Sequence, residues 1–367
     1  MKRAMPLLLA LVLLVSIFTG CGNLTPPSAS TTTVPATTAP ATATETSAVE
    51  TSAPAASAEP VAKPIVLKFG HERPTTHAAH ISAVYFADKV KELSKGTITV
   101  EVYPNGELGD PPALLEQTIL GSIDMCIPTP GSLDKYSTKF FAIGVPFAFD
   151  SYEHAHKVID DYFTPWASAD LPAVGIMHLA NWEFGFRQLT TNKKPVESPA
   201  DMKGVKVRVP PNAILESLMA SIGGNPQKIA YSELYMSLKQ GVVDAEENPV
   251  STIYSDKLYE VQKNLAITNH YYDYHMMVIG KPTWDKLTPD QQEILKTASK
   301  EAGDLMRKTV VESENGMIKE LEKLGMTVTR PDLAPFREMM APANKLIVDH
   351  SGQEAYNKVM EMIKAGR

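Results

Sequence analysis

Cysteine is the scarcest informative residue here: two in 367 residues, Cys21 and Cys126. That excludes a small scaffold stapled by disulfides. Cys126 lies in the apolar stretch Ile123–Ile127, the setting of a buried, inert thiol. Positive charge is also short. The 35 Lys and Arg are outnumbered by 42 Asp and Glu, giving a net charge of −7. A chain so balanced is a poor partner for a nucleic-acid backbone, which needs a basic surface. Beyond the first twenty residues no apolar run reaches the ~18 residues of a membrane span. Catalytic signatures are missing too. There is no GxxxxGK[ST] phosphate loop and no GxSxG elbow. His71-Glu72 starts like a zinc-protease helix, but Thr75 stands where the second histidine belongs and Pro74 would break the helix. His71, His77 and His80 have no acidic partner at ligand spacing, so neither metal nor cofactor is expected.

What is present begins with an address. Lys2 and Arg3 precede the apolar run Leu7–Phe18, which has the length of a signal-peptide core. Small residues lead into Cys21, as in a lipoprotein cleavage site where that cysteine is lipidated, although Phe18 departs from the usual aliphatic residue. The alternative is an ordinary leader, residues 1–20, cleaved near Gly20. Residues 21–63 are dominated by Thr, Ala, Ser and Pro and contain no aromatic residue. Such a segment cannot bury enough apolar surface to offset its chain entropy, so it is expected to be a disordered tether. Its typical reach is roughly 35 Å.

From Pro64 onward the pattern changes. Ile65–Gly70 is a β-rich run, Ala78–Leu93 has helical spacing, and Thr97–Tyr103 alternates as a strand. Pro111–Leu120 predicts a helix and Asp124–Ile127 a third strand, an order that argues for a parallel sheet with flanking helices. The pattern restarts with strands over Val174–Leu179, Phe184–Thr190 and Val205–Val209, a helix over Ala213–Ile222, a short strand at Val242-Val243 and a strand-rich region Leu265–Ile279. Two α/β units suggest two lobes. Thr288-Pro289-Asp290-Gln291 reads as a capping box opening a long helix. Apolar spacing carries that helix to Gly325, either unbroken or split near Gly316.

Three polar residues stand against apolar surroundings: Arg187 after Phe184-Gly185-Phe186, Arg208 on the face opposite its valines, and Asn248 just before Pro249. Arg208 and Asn248 fall at the carboxyl ends of strands, where α/β sheets bind ligands. A guanidinium there matches a carboxylate bidentately.

The run Gly185-Phe186-Arg187 through Lys206-Val207-Arg208-Val209-Pro210, together with Leu234–Pro249 including Glu247-Asn248-Pro249, resembles the DctP-type solute-binding subunits of tripartite ATP-independent periplasmic (TRAP) transporters. Tyr103–Gly109, Gly121–Met125 and Thr268-Asn269-His270 carry the resemblance further, so that it spans residues 64–367. It departs at Ala245, where a glycine is usual. The resemblance implies a two-lobed, periplasmic-binding-protein-like α/β fold with a long helix spanning both lobes. The implied lobes are 64–184 with 274–313, and 185–273 with 314–367. It also implies a binding protein rather than an enzyme, with a small organic acid as ligand. The family's salt bridge to the ligand carboxylate falls on Arg208, a second ligand contact on Arg187, an orienting role on Asn248 and an aromatic wall on Tyr231. Glu72, Asp110 and Thr129 fall in loops of the first lobe, and Trp182 and Glu183 just upstream of Arg187. The implied partners are the small and large TRAP membrane subunits, with the membrane itself reached through a lipid on Cys21, on the outer face of the cytoplasmic membrane. The alternatives are a ligand-binding partner of a membrane sensor kinase and a secreted hydrolase or lyase. The latter lacks a positioned base and nucleophile.

Overall fold

The computed structural model describes residues 64–367. The expected leader, Cys21 and the tether lie outside the described residues.

The chain opens as the alternation requires. β1 (Ile65–Gly70) pairs in parallel with β2 (Ile98–Tyr103), Ile65 opposite Ile98. Between them α1 (Ala78–Leu93) starts at His77, whose Nδ1 accepts a hydrogen bond from the amide of Ala79. α2 (Pro111–Leu120) then leads to β3 (Met125–Cys126), parallel to β1. Here the all-parallel expectation ends. The predicted strand pair Val174–Leu179 and Phe184–Thr190 is one sixteen-residue strand, β4 (Ile176–Thr191). β5 (Lys206–Val209) and β6 (Asn225–Lys228) follow. The strand expected at Val242-Val243 begins later, as β7 (Ala245–Pro249). β8 (Asn264–Gly280) runs antiparallel to β4 with three register shifts, and β9 (Thr327–Thr329) adds in parallel to the start of β8. All nine strands form one mixed sheet, ordered β2-β1-β3-β8-β4-β7-β5-β6 with β9 beside β8.

The gap expected between Leu179 and Phe184 is strand as well, with register slips on either side of it. The β4–β8 register slips between Glu183 and Gly185, and Gly185 sits at φ +115°, a conformation that glycine adopts without penalty. The bulge absorbs the breaker and pairing resumes, with Gly185 opposite Asp273. β4 and β8 therefore pass from the β2-β1-β3 side of the sheet to the β7-β5-β6 side without ending.

The long helix is Pro289–Lys323, unbroken through Gly316. Its capping box forms as predicted, with the Thr288 side chain accepting from Gln291 N and the Gln291 side chain from Thr288 N. Its Leu295, Ala302 and Met306 pack with Phe69, Phe86 and Trp182 in one core. A second core gathers Phe140, Phe163, Val207 and Leu215, and a third gathers Leu234, Ile253 and Leu321. Full burial of each such side chain contributes ~1.5–3 kcal/mol. Cys126 is buried, and burial pushes its thiol up to about 12, as its apolar setting implied. Among the described residues no helix is long and apolar enough to cross a membrane, and no His, Cys, Asp and Glu cluster is placed to hold a metal ion.

Candidate binding cleft

The carboxyl ends of β1, β5 and β7, with the middle of β4 and β8, surround a cavity of about 410 Å³. That volume lies in the ~300–1,000 Å³ range of small-molecule sites. Arg187, Arg208, Asn248, Tyr231, Glu72, Asp110 and Thr129 all reach its wall.

Arg208 occupies the position where β5 is flanked on both sides, opposite Gln227 of β6 and Glu246 of β7. It is 2% exposed. Its Nε donates to the carbonyl of Ile229 at 3.0 Å. Among the described residues no carboxylate lies within ion-pair distance of it. Burial, with the neighbouring positive charges of Arg187 and Arg73, draws its pKa down to about 10 against the attraction of Glu247 and Glu246. It stays charged at neutral pH, so the cleft holds a desolvated cation with no counterion.

Arg187 is built differently. Its Nε pairs with Glu247, one terminal nitrogen donates to Glu247 Oε1 at 2.9 Å and to the Glu247 carbonyl at 2.6 Å, and the other faces Asp273 at 3.5 Å. Burial opposes its charge, but Glu247 and Asp273 outweigh burial and raise its pKa. Asn248 Oδ1 accepts from Arg187 at 3.3 Å, while its Nδ2 donates to Glu246 Oε2 at 2.6 Å. Asn248 thus fixes Arg187 and Glu246, and no bond joins it to Arg208.

A third arginine, not among the expected site residues, lines the cleft from the loop after β1. Arg73 is sandwiched between the rings of Phe184 and Tyr231, at 4.4 and 4.5 Å from their centroids. Glu72 pairs with its Nε at 2.9 Å. Tyr231 is held in turn by a hydrogen bond to Asp256, and Asp110 accepts from Ser232 at 3.0 Å. The signal for Arg73 was available, because Gly70-His71-Glu72-Arg73 follows the carboxyl end of a strand just as Arg208 closes one. His275 also lines the cavity, its ring stacked on Phe184 at 4.6 Å.

Two expected residues do not reach the cleft. Trp182 is fully buried behind it, in edge contact with Phe69 and Phe86, and its indole N–H donates to the Ser299 carbonyl. Glu183 does not line the cavity either. It is buried, bonded to His156 at 2.5 Å and to the amide of Phe184.

Residues 69–350 match the family described as bacterial extracellular solute-binding protein, family 7, or DctP. The chain is 34% identical over 298 residues to the sialic acid-binding periplasmic protein SiaP of Vibrio cholerae, covering 81% of this chain and 92% of that protein. It is 31% identical to the C4-dicarboxylate-binding periplasmic protein DctP of Rhodobacter capsulatus, covering 80% of this chain and 90% of that one. The crystal structure of the sugar acid binding protein DctPAm from Advenella mimigardefordensis, in complex with galactonate, superimposes with a TM-score of 0.80 at 28% identity, covering 83% and 99% of the two chains. A match over most of the chain, a two-lobed relative of the same fold and an arginine-lined cleft at strand ends agree. The chain belongs to the DctP-type solute-binding proteins of TRAP transporters, a family of binding proteins and not of enzymes.

Proposed function

We propose that this protein captures a small organic acid in the cleft by a salt bridge between the ligand carboxylate and Arg208. The observation that carries the reading is the state of Arg208, a buried cation on the cavity wall whose charge no described carboxylate balances. A bidentate carboxylate supplies that balance and two charge-assisted hydrogen bonds, each contributing about 1.5–3 kcal/mol. Arg187, already neutralised, holds the wall and Asn248 in place. Tyr231 and Phe184 clasp Arg73 beside the ligand.

The two lobes are 64–184 with 274–313, and 185–273 with 314–367, so that the hinge falls at the Gly185–Asp273 pair of β4 and β8. Closing the lobes excludes water and strengthens the salt bridge. The filled protein is then delivered to the small and large TRAP membrane subunits, which are driven by an ion gradient. A lipid on Cys21 anchors the chain to the outer face of the cytoplasmic membrane, on the periplasmic side.

Calorimetry on Arg208→Ala tests the central claim. We expect organic-acid affinity to fall about 100-fold or more, the loss of two charged hydrogen bonds. Unchanged affinity overturns the salt bridge.

A further inference from the structure

The cleft wall also carries a buried acceptor without a partner. His275 is 1% exposed, lines the cavity and lies 3.0 Å through its Nδ1 from the carbonyl of Ile127. A carbonyl can only accept, so Nδ1 carries the proton and Nε2 is a bare lone pair. That Nε2 is buried and has no hydrogen-bond partner. Burial holds the ring neutral, and Arg73 and Arg187 reinforce this by repelling any added positive charge. The same positive neighbourhood disfavours an ammonium donor, so a hydroxyl is the donor that fits.

The charges around the cavity set a second condition. Arg73 is paired with Glu72, and Arg187 with Glu247 and Asp273. Of the arginines on the wall, Arg208 alone lacks a carboxylate among the described residues. The remaining wall includes Lys135, which is paired with Glu116 at 2.9 Å, and Asp110 and Asp134, which repel a second carboxylate.

We infer that the ligand is a hydroxylated monocarboxylate: one carboxylate on Arg208, one hydroxyl donating to His275 Nε2, and no second carboxylate. This rests on the organic-acid reading above and narrows it, in a family whose members include binders named for sialic acid and for C4-dicarboxylates.

The test is a calorimetric comparison of matched acids at two chain lengths: erythronate, tartrate and butyrate, then gluconate, glucarate and hexanoate. The expected result, at a chain length that binds, is a hydroxylated monoacid at least tenfold tighter than both the matching dicarboxylate and the matching alkyl acid. Two variants sharpen it. His275→Phe keeps the stack on Phe184 and removes the acceptor, so the hydroxy-acid advantage over the alkyl acid shrinks about tenfold. Glu72→Gln releases Arg73 as a second unbalanced cation, so dicarboxylate affinity rises relative to the monoacid, a gain that misfolding does not produce. A wild-type protein that binds the dicarboxylate or the alkyl acid as tightly as the hydroxy acid overturns this inference and leaves the organic-acid reading standing. Failure to bind any of the six overturns both.

Discussion

Arg187 and Arg208 are equally buried and face the same cavity, yet opposite consequences follow from removing them. Arg187 completes an ion pair with Glu247, and breaking such a pair strands a buried carboxylate at a cost of about 3–5 kcal/mol. Arg187→Met is therefore expected to lower the free energy of urea unfolding by that amount, whereas Arg208→Met, measured without ligand, leaves it unchanged or raises it. Both arginines were legible in the sequence as charges among apolar neighbours. What separates them was not, because the carboxylates that neutralise Arg187 arrive from β7 and β8, about sixty and eighty-six residues along the chain. Trp182 shows the opposite error. Its nearness to Arg187 in sequence suggested the cleft, but a fully buried position against Phe69 and Phe86 belongs to the core.

At the scale of elements, local signals are legible where they are chemical and lost where they depend on neighbours. The capping box placed the start of the long helix at the correct residue. Gly316 left its continuity open, since a glycine in mid-helix costs about 1 kcal/mol but does not by itself break one. The two helix glycines now predict opposite effects. A β-carbon at Gly316 meets nothing within 4 Å, so Gly316→Ala is expected to stabilise by about 0.5–1 kcal/mol. One at Gly303 meets the carbonyl of Asn181 at 2.6 Å and Trp182 at 2.9 Å, so Gly303→Ala forces the helix off β4 and costs about 1–3 kcal/mol. Thermal melting of the two variants side by side checks the sign of each. The sequence predicts two strands separated at 180–183, a stretch that β4 carries through without a break. Only its partner β8 reveals that pairing continues past the bulge.

For the molecule as a whole, the buried titratable groups govern the response to pH. Burial lowers His71 to about 3 and His178 to about 4, and also lowers His77, His270 and His275. Each binds its proton more readily when unfolded, so its contribution to stability is complete above about pH 6.5 and is lost as the pH falls toward its folded value. Stability is expected to rise between pH 5 and 6.5, at up to about 1.4 kcal/mol per pH unit for each such histidine. Burial pushes Glu246 and Glu314 the other way, each up to about 7, so their contribution is complete below about pH 4.5 and is lost as the pH rises to 7. Urea unfolding of Glu314→Gln isolates one term: the variant matches the wild type near pH 4.5 and exceeds it increasingly toward pH 7.

The fold's three tryptophans give these experiments an optical readout. Trp166, Trp182 and Trp284 all lie off the cavity wall, while Trp182 sits on β4 two residues before Phe184, which lines it. A small acid cannot touch any indole while it occupies the cleft. A change in tryptophan emission on titration therefore registers a rearrangement of the protein around an indole and not contact with the ligand.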